Sequence, residues 1–111
     1  MENPLGYERQ SPRVERILMT GIELFEETGE LAESSIGRTL NISEGGILLE
    51  VVTPFPFMAK VSLNLALYNN NIKINGQIVH LRKNADDRIE MGVTFTKIAN
   101  KDKEILKMFL S

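Results

Sequence analysis

Leu40-Asn41-Ile42-Ser43-Glu44-Gly45-Gly46-Ile47 is the stretch on which the fold turns: an extended run meets a double glycine and resumes as Leu48-Leu49-Glu50-Val51. The pattern predicts a strand, a tight turn and a second strand. Residues two apart in a strand share a side, so Asn41 and Ser43 face one way while Leu40 and Ile42 form a buried row facing the other. Gly46 has no Cβ and can adopt a positive φ or admit another group close to the backbone. The stretch therefore reads as an ordinary hairpin or as the floor of a ligand site, and taken alone it favours the hairpin.

Outward from this turn, the same period-two pattern recurs. Upstream, residues 16–27 read as a strand with Leu18, Ile22 and Leu24 on one parity, and Ile36 joins Leu40 and Ile42 in the strand entering the turn. Between them Glu23, Glu26, Glu27, Glu30 and Glu33 follow one another with no intervening base, an acidic hairpin that serves solubility. Downstream, Thr53-Pro54-Phe55-Pro56 ends the exit strand, after which Val61, Leu63, Leu65 and Leu67 alternate with Ser62, Asn64, Ala66 and Tyr68. Asn69-Asn70-Asn71 reads as a turn. Ile72, Ile74 and Ile78 then share a parity that Val79 and Leu81 break, which predicts a bulge with Gly76 as the bending point. After a connection at Asn84-Ala85-Asp86-Asp87, Ile89, Met91, Val93 and Phe95 alternate once more. About six closely spaced strands joined by short turns predict a mainly β protein, a small six-stranded antiparallel β-barrel.

The two ends differ from this pattern. Residues 1–14 carry two prolines and no sustained apolar period, so they are expected to form a flexible N-terminal arm outside a single domain of residues 15–111. Pro12 disfavours a helix there and pushes Ser11 towards an extended backbone, from which Arg9 and Arg13 would project. From about residue 100 the period changes to that of a helix, with Asn100 as its expected cap and an apolar stripe of Ile105, Leu106, Met108, Phe109 and Leu110. A helix this short needs a surface, either one opening of the barrel or another subunit.

Composition excludes several kinds of function. At 111 residues the chain can bury one core, and with no cysteine it can form neither a disulfide framework nor a thiolate zinc site. One histidine, His80, makes imidazole metal chemistry improbable, and it reads as a packing or surface residue. A net charge of -2, two tyrosines and no tryptophan speak against a barrel that binds single-stranded DNA or RNA. No apolar run approaches a membrane span, the N-terminus has no signal-peptide pattern, and a cytoplasmic location is expected. Nor is there a nucleophile with a base and an orienting third group, so the chain is not expected to be an enzyme.

Three features occur in order along the chain: an R-x-x-x-R pair at Arg9 and Arg13 ahead of the first strand, an N-x-S-x-x-G turn at Asn41, Ser43 and Gly46, and Gly92-Val93-Thr94-Phe95 in the last strand. With a six-stranded barrel and a terminal helix, they resemble the PilZ domain family over nearly the whole chain. What the resemblance implies is a bacterial receptor for cyclic di-GMP, with no further cofactor. In it Arg9 and Arg13 would hold phosphates and stack on guanine, and Asn41 and Ser43 would contact the guanine edge. Gly46 would let the backbone approach the ligand, and Gly45 would ease the turn. The chemistry suits such a ligand, since guanidinium pairs with phosphate oxygens or guanine O6 and N7 and also stacks on π faces. The asparagine amide and serine hydroxyl each donate and accept. The expected behaviour is that of a monomer or weak dimer whose arm orders on binding and which signals to an unidentified protein effector. The competing reading is a degenerate PilZ-like interaction module that does not bind the nucleotide.

Overall fold

The computed structural model describes residues 18–111. Six strands, β1 (Met19–Phe25), β2 (Leu31–Ile42), β3 (Gly46–Val51), β4 (Lys60–Leu67), β5 (Asn70–Lys83) and β6 (Ile89–Ile98), precede one helix, α1 (Asn100–Leu110). They close into a barrel in the order β1-β2-β3-β6-β5-β4, every neighbouring pair antiparallel. Closure removes the sheet edges that would otherwise present unpaired backbone groups.

The alternation read from the sequence places the core. Ile47, Leu49 and Val51 of β3, Val61, Leu63, Leu65 and Leu67 of β4, Ile72, Ile74 and Ile78 of β5, and Met91 and Val93 of β6 are all buried. Each such aliphatic side chain contributes about 1.5–3 kcal/mol when fully removed from water. In β1 the blurred parity resolves with Ile22 buried and Leu18 and Leu24 packed against the core, while Met19 and Phe25 face outward. The expected arm, with Arg9 and Arg13, lies outside the described residues.

Strand β2 departs from expectation. Leu40 is 37% exposed, so it does not belong to the buried row predicted for it and Ile42, and Ile36 of the same strand is 65% exposed. Thr39 pairs with Leu49 and Asn41 with Leu48, which leaves Leu40 as the extra residue of a bulge. Parity reverses there, and only Ile42 of the expected row packs on the core. Before the bulge the inward positions are Gly37 and Thr39. A Cβ at Gly37 would stand 3.0 Å from Val51 Cγ1, and the Thr39 hydroxyl pairs with that of buried Thr20 at 2.8 Å. Small and hydrogen-bonded residues thus let β2 run close to the core of its neighbours.

Two smaller differences and one agreement complete the comparison. The expected turn at Asn69-Asn70-Asn71 is a two-residue connection, Tyr68-Asn69, because pairing continues to Leu67 and Asn70. Tyr68 sits at φ 57°, and its ring meets Phe109 edge-on at 5.5 Å, a tertiary contact that favours the strained residue. In β5 the register shifts both at Gly76 and around Val79, as the broken parity predicted. Asn100 is not the helix cap: it is the first helical residue, preceded by an extended Ala99 whose carbonyl accepts from Lys103 N at 2.9 Å. Helix α1 packs on β4 and β5 and inserts Leu106 into the core, while Asp102 in its first turn accepts from the Lys73 amide at 3.3 Å. No described helix is long and apolar enough to cross a membrane.

Candidate ligand-binding face

The central turn is tied together by its own polar atoms. Beyond the Ile42–Ile47 pair, Ser43 N donates to Gly46 O at 2.9 Å, and the Ser43 hydroxyl accepts from Gly45 N at 3.3 Å and donates to Gly46 O at 3.4 Å. Ser43 therefore holds the turn before it touches any ligand. Strand β6 secures the other side, where Phe95 N donates to Gly45 O at 2.9 Å and the Thr94 hydroxyl lies 3.5 Å from the same oxygen.

The two glycines do different work. A Cβ at Gly46 would fall 2.7 Å from the Val93 carbonyl oxygen, so the close approach this residue permits is that of β6. A Cβ at Gly45 would meet nothing within 4 Å, and it faces open space. Neither needs the left-handed conformation, since among the described glycines only Gly29, in the β1–β2 turn, has a positive φ, 92°.

Across the barrel's outer face the register aligns one row with a polar residue at each end. Asn41 is opposite Leu48, Leu48 opposite Gly92, and Gly92 opposite His80. Asn41 is exposed, and its side chain makes no hydrogen bond among the described residues. Gly92 lacks the side chain that would crowd His80, whose Cβ would lie 2.9 Å from an added Cβ. A bare strip of backbone therefore separates Leu48 from exposed His80. Beside the row, Asn41, Ile42, Ser43, Gly46, Ile47 and Leu48 line a shallow recess of about 210 Å³. The structure thus brings Asn41, Ser43, Gly45 and Gly46 together. Leu48, Gly92 and His80 join Asn41 on this face through the register alone, in which the bulge at Val79 sets which way His80 points; exposed, His80 is a surface residue, one of the two readings its sequence context allowed.

A larger recess of about 570 Å³ lies further along the same strands, among Arg38, Leu40, Glu50, Arg82, Asn84 and Glu90. Among the described residues every cation that lines it is already paired, Lys83 with Asp87 at 2.8 Å among them. Arg38 pairs with Glu50 at 3.0 Å and Arg82 with Glu90 at 2.8 Å, and Asn84 Nδ2 donates to Glu50 Oε2 at 2.9 Å. The Asn84 bond first, and Arg38 second, hold the Glu50 carboxyl below its ordinary range. Size alone would make this the better cavity, but it offers an incoming anion no uncommitted cation. Among the described residues no group of three His, Asp or Glu side chains could hold a metal.

Comparison with known proteins agrees with this architecture. The family model described as PilZ domain matches residues 7–111. No curated protein matches the chain. Among solved structures, Bacillus subtilis inhibitor of motility (MotI/DgrA) superposes with a TM-score of 0.70 at 19% identity, covering 93% of this chain and 50% of that one. The K. pneumonia MrkH–c-di-GMP complex gives 0.62 at 19% identity, over 93% and 51%. The PilZ domain of CeSA from a cellulose-synthesizing bacterium gives 0.59 at 14% identity, over 87% and 92%. The chain thus spans about half the length of MotI/DgrA and MrkH and most of the CeSA domain. With the family model matched over residues 7–111, nearly the whole chain, the chain belongs to the PilZ domain family.

Proposed function

We propose that the chain is a cyclic di-GMP receptor and adaptor, a binding module with no catalytic role, that signals to a protein partner. The observation that carries this reading is the row on the outer face, where the Asn41 side chain has no hydrogen-bond partner among the described residues and the Gly92 strip leaves space between Leu48 and His80. MrkH, similar in fold, is described in complex with c-di-GMP. A recess of about 210 Å³ is below the roughly 300–1,000 Å³ of a closed small-molecule site, so a dinucleotide on this face needs a second wall. Arg9 and Arg13 supply it in this reading. Their guanidinium groups hold the phosphates and stack on guanine, while Asn41 and Ser43 meet the base edge and Gly45 and Gly46 shape the turn beneath. The arm orders across the barrel as ligand binds, and the surface of arm, ligand and barrel is what the partner reads.

Calorimetric titration with cyclic di-GMP, against cyclic di-AMP and GTP, tests the reading. Arg9→Ala and Arg13→Ala should each weaken binding more than tenfold, since a charged hydrogen bond contributes about 1.5–3 kcal/mol, and should leave the melting temperature of the free protein unchanged. Hydrogen exchange should show ligand-dependent protection at residues 8–14 and 41–46 and little change in β4. A parent protein that binds no cyclic di-GMP would favour the non-binding interaction module instead.

A further inference from the structure

The β1–β2 hairpin runs past the end of β4. Pairing of β1 with β4 stops at Leu24–Val61, and residues 25–34 are all exposed. A two-stranded ribbon open on both faces is marginal by itself. It also presents two large apolar side chains, the register partners Phe25 and Leu31, which are 43% and 53% exposed.

At the base of this ribbon lies a recess of about 540 Å³ bounded by Phe25, Lys60, Lys73, Asn75 and Lys97. Among the described residues none of these lysines is ion-paired, the pairs being those of Arg38, Arg82 and Lys83. Ser62 lines the same recess. It is only 7% exposed, and no described group bonds to its hydroxyl, an unfavourable state for a buried polar atom. Glu23 stands in register with Ser62 on the rim, but its carboxylate accepts from Asn64 Nδ2 at 3.3 Å within its own chain.

We propose that this face joins two copies of the chain about a two-fold axis, each ribbon laid on the other's recess. A glutamate of the ribbon, Glu27 or Glu30, enters the partner copy's recess, accepts from the Ser62 hydroxyl and pairs with the lysines. The Phe25–Leu31 pairs pack together near the axis. A second copy is the fitting occupant because the acidic ribbon and the lysine recess adjoin on one surface and share Phe25, so one rotation matches both at once. This dimer does not depend on the ligand reading, whose face lies on β2, β3, β6 and the far end of β5.

Sedimentation of the full chain over a concentration series, at low and high salt, tests it. The parent should show a monomer–dimer equilibrium that high salt weakens by roughly tenfold or more. Lys60→Glu with Lys97→Glu should be monomeric, as should Glu27→Lys with Glu30→Lys, each melting like the parent. Mixed in equal amounts, these two variants should dimerise again, because an acidic ribbon then meets a basic recess at one contact and a basic ribbon meets an acidic recess at the other. A parent that stays monomeric throughout, even one that takes up a foreign acidic peptide, overturns the proposal. So do charge-reversed variants that dimerise like the parent, or a mixture that fails to restore the dimer.

Discussion

Asn41 and Asn84 flank the same β2–β3 ladder, yet the fold treats them oppositely. Asn84 is fully employed: Nδ2 donates to Glu50 at 2.9 Å, and Oδ1 accepts from the amides of Asp86 and Arg88 at 3.0 and 3.1 Å. The Asn41 side chain has no hydrogen bond among the described residues and faces solvent. Around Asn84 the arginines have carboxylate partners; around Asn41 the backbone is secured, but the amide is left over. Both asparagines line recesses, and the larger recess belongs to the employed one. Unemployed donors, rather than volume, mark the surface able to receive a ligand, because a group already paired must lose one bond to gain another.

The difference can be broken or sharpened by substitution. The largest effect is expected at Gly46→Ala, whose new Cβ would collide with the Val93 carbonyl; overpacking of this kind costs roughly 1–3 kcal/mol, whereas Gly45→Ala should leave the denaturation midpoint unchanged. Equal midpoints for the two variants would show that β6 moves aside. Next is Asn84→Ala, which strands partners on three sides and should cost about 1–3 kcal/mol in chemical denaturation with ligand affinity unaltered. Asn41→Ala should do the converse, weakening cyclic di-GMP several-fold in calorimetry with no change in stability. An affinity loss at Asn84 matching that at Asn41 would erase the distinction. Ser43→Ala should cost a little of each, since its hydroxyl serves the turn through bonds of 3.3–3.4 Å.

The smallest effect is one of pH. Glu50 has a folded pKa below its ordinary value of 4.5, so the contribution of its charge is fully present above that value and is lost as pH falls through the folded one. Melting temperatures measured on descending into that acid range should fall less steeply for Glu50→Gln than for the parent. An identical acid limb would mean that the network of Asn84 and Arg38 does not discriminate between the two protonation states.

Much of the fold is legible along the chain because strand burial has a period of two. Val61, Leu63, Leu65 and Leu67 announce β4 with no knowledge of what they face, and the broken parity at Val79 announces a bulge. The bulge at Leu40 is not legible in this way. Its neighbours keep an apolar pattern that reads equally well as a regular strand, and only pairing with Leu48 and Leu49 shows which residue is extra. For the same reason Leu40 was placed on the wrong side. The Tyr68 turn depends on Phe109, far away in sequence, and the loss of the cap role at Asn100 follows from where β6 delivers the chain.

The sequence by itself determined the barrel's strand count, the buried rows of β3 to β6, the terminal helix and the polar turn from Asn41 to Gly46, because local periodicity and residue chemistry suffice for these. Only the tertiary structure decided that Gly46 makes room for β6, that Leu48, Gly92 and His80 extend the face of Asn41, and that the arginines of the larger recess are already matched. Those facts are distances between strands, and the register that sets them is fixed by bulges and by packing across the barrel rather than by neighbours along the chain.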